Sequence, residues 1–252
     1  MPPLQINPMF AVPFAQDHHP DAERLNRELK ALLLSREQAG GHYANPNPSL
    51  KQQPGVFESD LTLFSWPEPC IQELRTFIWT ILGQTIQALN GYTAEQMQRL
   101  QIFSHTWYHV TRHGGFTILH THPMASWSGV YCVTPGETPE DRPESGVLRF
   151  HNPHHYSNYF MDSGNIALKA PYHHGTWNVQ FKGGQLVLFP SWLQHEVMPF
   201  YGNDERITIA TVHAFERVTA GQMLATIKII PFAVPEAAVA AAERAALRAR
   251  LT

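Results

Sequence analysis

Two regimes of hydrophobic spacing divide the chain near residue 101. Before that point apolar residues recur every three or four positions. In "HPDAERLNRELKALLLSREQAGG", Leu25, Leu29, Leu32 and Leu33 share one helical face, Pro20 stands near the first turn and Gly40–Gly41 form the stop. A polar, proline-rich loop is predicted over "HYANPNPSLKQQPGVFESDLTLF". A second helix follows in "SWPEPCIQELRTFIWTILGQTIQALNG". Its broad apolar face carries Ile71, Leu74, Phe77, Ile78, Ile81 and Leu82, and Asn90–Gly91 closes it. "TAEQ" at Thr93 to Gln96 has the form of a capping box and starts a short third helix.

After residue 101 the period shortens. Runs rich in Val, Ile, Thr and aromatics alternate with Gly, Pro and Asn clusters: "IFSHTWYHV", "FTILHTH", "WSGVYCV", "GVLRFH", "WNVQF", "QLVLF", "HEVMPF", "RITIATVHAF" and "MLATIKIIPF". No helix-length pattern separates these strands. An antiparallel sandwich or small barrel is therefore expected rather than a parallel α/β sheet. The chain ends in an alanine-rich helical pattern, "VPEAAVAAAERAALRARLT". It reads as one domain over 1–252. A helical portion, 1–100, packs on a β core, 101–232, and a C-terminal helix spans 233–252.

Composition narrows the function classes. The 252 residues are 43% hydrophobic and only 15% charged, with a formal net charge of −3. No basic stripe suits nucleic acid or an anionic membrane, and no segment approaches the roughly 20 apolar residues of a membrane span. "MPPLQINPMFAVPFAQ" lacks the basic region and apolar run of a secretory signal. The two cysteines, Cys70 and Cys132, cannot make a disulfide framework, and a cytoplasmic location is expected. Strand edges and the C-terminal helix are compatible with a homodimer.

The unusual residue is histidine, with 15 copies. Most lie in loop contexts, such as "HNPHH", where solvation is the simple reading. "HTHPMASWSGVYCV" differs. On a strand His120 and His122 project to one face, which suits two ligands of one metal ion. By itself that spacing does not separate two ligands from two polar strand residues. A second patch adds to it. In "KGGQLVLFPSWLQHEVMPF" a glycine turn leads through an apolar strand to Pro190 and then His195. Gly114 precedes His120 by six positions, as Gly184 precedes Pro190. Much of this matches the two-motif spacing of cupins. It departs from them in lacking a glutamate after His122 and in Trp192, where a glycine usually stands. A third patch, "DERITIATVHAF", opens an apolar strand with Arg206, which shares a face with Thr208 and Ala210. An arginine there either holds a carboxylate in its planar fork or makes a strand-end salt bridge with Asp204 or Glu205.

In order, then, come His-X-His, about 70 residues, His, and Arg-X-Thr. From Thr106 to Phe215 the chain resembles the iron(II)/2-oxoglutarate-dependent oxygenase superfamily. In particular it resembles a bacterial group with "H-x-H-P…SGVYYV…LVLFPSWL-x-H…ER-I-I", in which Cys132 takes the place of a second tyrosine. The resemblance implies a mainly β fold with flanking helices, a double-stranded β-helix or jelly-roll barrel packed against the N-terminal helices. It implies that His120, His122 and His195 bind iron(II), and that Arg206 with Thr208 binds 2-oxoglutarate. The implied chemistry is oxidative decarboxylation of 2-oxoglutarate with O2, coupled to hydroxylation of a C–H bond in a small molecule or peptide. No separate acid or base is assigned. Tyr108, Trp127, Tyr131 and Phe189 are candidates for lining the site, Leu186, Leu188 and Phe189 for keeping it dry, and the segment 151–177 for a lid or substrate wall.

The departure from the superfamily is His122, where Asp or Glu is usual. Three neutral imidazoles leave the site one unit more positive, and dianionic 2-oxoglutarate then formally neutralises the metal. The alternative is that His122 stands beside the metal and a carboxylate such as Glu196 or Asp162 ligates. Two other function classes remain open: a cupin-type three-histidine dioxygenase or isomerase that uses no 2-oxoglutarate, and a non-catalytic β-barrel binding protein.

Overall fold

A computed structural model describes residues 3–48 and 55–217. The expected strand "MLATIKIIPF" and the C-terminal helix over 233–252 lie outside the described residues. The 3.6-residue pattern gives α1 (Ala22–Ala39) and α2 (Pro69–Asn90), and the capping box starts α3 (Ala94–Gln98). Gly91 closes α2 in the left-handed conformation. The box is complete: the Thr93 hydroxyl accepts from the Gln96 backbone N–H at 3.2 Å, and the Gln96 side chain accepts from the Thr93 N–H at 2.8 Å. Among the described residues no helix is long and apolar enough to cross a membrane.

Among the described residues ten strands form two antiparallel sheets. They are β1 (Ala15–His18), β2 (Val56–Glu58), β3 (Leu100–Thr111), β4 (Thr117–His120), β5 (Trp127–Thr134), β6 (Leu148–His151), β7 (Thr176–Val179), β8 (Gln185–Pro190), β9 (His195–Val197) and β10 (Arg206–Arg217). The larger sheet has the order β1-β8-β5-β10-β3-β2, and the smaller one β4-β9-β6-β7. This is the two-sheet double-stranded β-helix, open rather than a closed barrel. Two strands were not expected from sequence. Both are short edge strands: β1 is polar, and β2 has only three residues, too few for a pattern to show. Each takes its extended form from a partner, β8 for Ala15–His18 and β3 for Val56–Glu58.

The helices cover one face of the larger sheet. Leu25, Leu29 and Leu33 of α1 and Ile71, Leu74, Ile78 and Leu82 of α2 are fully buried, in one cluster with Tyr108, Tyr131, Leu186, Leu188, Ile207 and Ile209. Each such leucine contributes roughly 2 kcal/mol. The opposite face meets the smaller sheet through a second cluster. It contains Cys132, Leu148, Phe150, Val179, Phe181, Val187, Phe189 and Leu193. Double coverage explains why "LVLF" is continuously apolar. Leu186 and Leu188 face the helices, whereas Val187 and Phe189 face the space between the sheets. The expectation that Leu186 and Leu188 line the interior is corrected by this alternation. The turn into β8 needs Gly184, whose φ is +87° and whose Cβ, if it had one, would lie 2.3 Å from that of Ala22.

Two buried histidines make the fold sensitive to acid. Desolvation pulls the His213 imidazole down to about 3 and that of His105 down to about 4. The unfolded chain protonates both near pH 6.5. Their contribution is therefore complete above pH 6.5 and is lost progressively as pH falls toward those folded values, by about 1.4 kcal/mol per pH unit for each group. Urea unfolding at pH 7.5 and 5.5 should show a smaller loss of stability in His213→Asn than in the wild type. An equal loss in both proteins would exclude His213 as a sensor.

Candidate metal centre and anion pocket

The three histidines of the sequence patterns converge. His120 ends β4 and is in register with His195, the first residue of β9. Their ring centroids lie 4.2 Å apart, and those of His122 lie 4.9 Å from His120 and 5.1 Å from His195. One ring nitrogen from each falls within 4.8 Å of the others. Among the described residues no other group of three His, Cys, Asp or Glu side chains meets in this way. The arrangement differs from the strand reading of His-X-His in one respect. β4 stops at His120, with Pro123 just beyond, so His122 lies off the strand. Its backbone N–H donates to Ser191 O at 2.9 Å, tying the turn to the end of β8.

Two of the rings are oriented in the same manner. His120 Nδ1 lies 2.7 Å from Ile118 O, and His195 Nδ1 lies 2.8 Å from Leu193 O. A carbonyl can only accept, so each Nδ1 carries the proton and each Nε2 keeps its lone pair. Desolvation, reinforced by the neighbouring imidazoles, pulls His122 down to about 2 and His195 to about 3, and it lowers His120 as well. Near neutral pH all three are neutral and offer lone pairs rather than protons. This donor set fits a divalent transition metal. The suggested carboxylate alternatives are engaged elsewhere. Glu196 accepts from His151 Nε2 at 2.9 Å, and Asp162 accepts from the Gly164 N–H in the segment between β6 and β7.

Arg206 opens β10 and turns into the space between the sheets, with only 2% of its surface exposed. Neither Asp204 nor Glu205 pairs with it: Asp204 accepts from the Glu137 N–H, and Glu205 lies 3.5 Å from Lys30. Its Nη1 donates to Thr208 Oγ1 at 3.4 Å, its guanidinium lies 5.9 Å from the Phe181 ring centre, and Nη2 is buried with no acceptor. Desolvation lowers its pKa. Beside it the Cys132 thiol is pushed up to about 12 by burial and stays neutral. A buried cation with one arm unsatisfied is costly, and an anion in the pocket would relieve that cost.

Of the four proposed lining residues, only Phe189 touches the triad, with its ring 4.8 Å from His195. Tyr108 and Tyr131 point into the helical layer. The Tyr108 hydroxyl donates to Leu33 O and that of Tyr131 to Asn26 Oδ1. Trp127 packs on the same helix-side cluster. The period of two puts Trp107 and His109 on the opposite face of β3 from Tyr108, and Trp107 lies 5.8 Å from His122. The strand pattern of "IFSHTWYHV" does not by itself say which face looks inward. Glu58, 3.0 Å from His109, was missed because it lies in a segment read as loop.

Fold and donor set together describe a double-stranded β-helix that carries three histidines able to hold one metal ion. Residues 105–211 match the family described as "Putative 2OG-Fe(II) oxygenase". The matched segment, under half of the chain, is similar to the iron(II)/2-oxoglutarate-dependent oxygenase superfamily. No curated protein gives a significant sequence match. Among solved structures, a Pseudomonas putida prolyl-4-hydroxylase is 20% identical, with a TM-score of 0.54, covering 80% of this chain and 92% of its own. A Trichoplax adhaerens prolyl hydroxylase, in complex with a hypoxia inducible factor peptide fragment, is 15% identical, with a TM-score of 0.50 and coverages of 79% and 82%. HygX of Streptomyces hygroscopicus, with nickel, 2-oxoglutarate and hygromycin B bound, is 10% identical, with a TM-score of 0.50 and coverages of 81% and 83%. At these identities the likeness is one of fold.

Gly146 adjoins the anion pocket at φ +65°, and a Cβ there would lie 2.9 Å from Arg206 Cδ. Gly146→Ala should destabilise the protein by about 1–3 kcal/mol through backbone strain and displacement of the arginine. Thermal unfolding against the wild type checks this, and an unchanged midpoint would count against the close packing.

Proposed function

We propose that the protein is an iron(II)- and 2-oxoglutarate-dependent oxygenase that hydroxylates a C–H bond of a small molecule or peptide. The observation that carries the reading is Arg206, a buried guanidinium with an unsatisfied Nη2, on the same interior surface as a cluster of three neutral imidazoles. His120, His122 and His195 would hold the iron on one side and leave its other positions open. Bound there, iron(II) with 2-oxoglutarate and O2 supplies oxidative decarboxylation coupled to attack on the substrate C–H bond.

The chain's own residues do the rest. Arg206 Nη2 donates to the far carboxylate of 2-oxoglutarate. Thr208 Oγ1, which accepts from Nη1, keeps its own hydrogen to donate to the same carboxylate. The neutral Cys132 thiol adds no competing negative charge. Phe150 and Phe189, 4.7 Å apart, wall the triad from the core and exclude water beside His195. With three neutral ligands, the two carboxylates of 2-oxoglutarate balance the iron's charge. A cavity of about 330 Å³ bordered by Thr121, His151, Pro153, His155, Trp192 and Gln194 adjoins the ligand-bearing turns, and the segment between β6 and β7 contributes to it. That volume suits a small molecule or one side chain of a peptide.

The absence of a carboxylate from the cluster favours a second reading, a three-histidine dioxygenase or isomerase that uses no 2-oxoglutarate. One experiment separates the two. Iron-loaded protein supplied with 2-oxoglutarate and O2 should release succinate. Arg206→Ala should keep its iron but lose 2-oxoglutarate affinity by about 30-fold or more, the cost of truncating a buried charged partner. Metal-free Arg206→Met should unfold no more easily than the wild type, because an unpaired buried charge is gone. Iron retention with no affinity for 2-oxoglutarate in the wild type would sink the first reading.

A further inference from the structure

The three histidines are not held alike. His120 and His195 are each fixed by an Nδ1–H donated to a carbonyl two residues back. Among the described residues the His122 ring has no hydrogen-bond partner; its backbone is tied to Ser191 O. Its ring instead lies edge-to-face with Trp107, at 5.8 Å and 65°. Trp107 is itself pinned. Its indole Nε1 lies 3.2 Å from His109 Nε2, and the two rings stand at 77°. His109 Nε2 also lies 3.0 Å from Glu58 Oε2, with both side chains nearly buried, at 13% and 9% exposure. Glu58 Oε1 accepts from Asn45 Nδ2 at 2.6 Å. Glu58 and His109 face each other in the register of β2 and β3.

We propose that Glu58, His109 and Trp107 form a positioning relay that fixes the ring plane of His122 in place of the missing hydrogen bond. The inference rests on the reading of His122 as a metal ligand. One nitrogen of His109 serves both neighbours. Protonated at Nε2, it donates to Glu58; protonated at Nδ1, it accepts from the Trp107 N–H. The two bonds alternate with the tautomer, each holding the imidazole between the carboxylate and the indole, whose ring stands at 65° to that of His122. None of the three relay residues ligates. They act through orientation, as outer partners of metal-bound histidines do elsewhere, where their loss costs about 10- to 100-fold in metal affinity.

The test uses Co(II) titration followed by visible absorption, with Cu(II) EPR to report the number of bound imidazole nitrogens. Wild type should show a three-nitrogen site. Trp107→Leu should lose about 10- to 100-fold in Co(II) affinity and take on the two-nitrogen spectrum of His122→Ala. Trp107→Phe, which keeps the ring face, should lose less than about 10-fold and keep three nitrogens. Glu58→Gln should broaden the three-nitrogen signal by loosening the relay. Thermal unfolding of the metal-free proteins establishes that each variant folds. A folded Trp107→Leu with wild-type affinity and spectrum overturns the relay. Should that variant fail to fold, Glu58→Gln decides it, because a wild-type spectrum with unchanged affinity in that variant also overturns the relay. A wild type that shows only two nitrogens, indistinguishable from His122→Ala, overturns the ligand reading itself and the relay with it.

Discussion

The antiparallel ladder that runs the full length of β3 and β10, from Arg206 opposite Thr111 to Arg217 opposite Leu100, organises both the core and the site. β10 pairs on its other side with β5, so it lies in the middle of a sheet covered on both faces. Alternation along these strands then sorts every side chain into one of two environments. Ile207, Ile209, Tyr108 and Tyr131 go to the helices. Arg206, Thr208, Trp107 and Cys132 go to the space between the sheets. A slip of one residue would exchange the two sets. It would bury the arginine under leucines and turn the tyrosines toward the three histidines. The apolar weight of the helix-side cluster is what makes that slip prohibitive, so the position of the buried Arg206 is fixed by residues that never touch it.

Electrostatics gives the interior its character. It carries a desolvated guanidinium, a thiol held neutral and imidazoles held neutral, and the triad has no carboxylate in contact with it. Such a cavity stores an unfavourable positive potential in the unliganded protein. A metal adds to that potential and a dianion removes it. The two ligands are therefore expected to bind with mutual support, the anion gaining most once the metal is present. The polar groups are spared full exposure to one another by Phe150, Phe181 and Phe189, which fill the volume between the sheets and keep the dielectric low.

The chemistry-bearing residues were legible because they sit in local patterns. The residues His120, His122, His195, Arg206 and Thr208 are announced by turn glycines, a strand-breaking proline and an arginine at the head of an apolar strand. The helices were legible for the same reason: their apolar faces and caps are written in adjacent residues. Failures came where local pattern and tertiary context part. His-X-His suggested two ligands on one strand, yet the strand ends between them. The same geometry is reached because the backbone of His122 is captured by Ser191. Tyr108 and Tyr131 are near the motifs in sequence and on the wrong face in space. Glu58 belongs to a three-residue strand that exists only because β3 offers it an edge.

The sequence by itself determined the helices, most of the strands, and the set of residues able to hold a metal and an anion. These depend on periodicity and side-chain chemistry, which are local. Only the tertiary structure decided which face of each strand looks inward, that Arg206 lacks an acidic partner, and that Trp107, His109 and Glu58 stand behind His122. Those facts depend on pairing between segments as far apart as β2, β3 and β10. Strand pairing at such separations is fixed by packing of the whole core, and no short window of residues contains it.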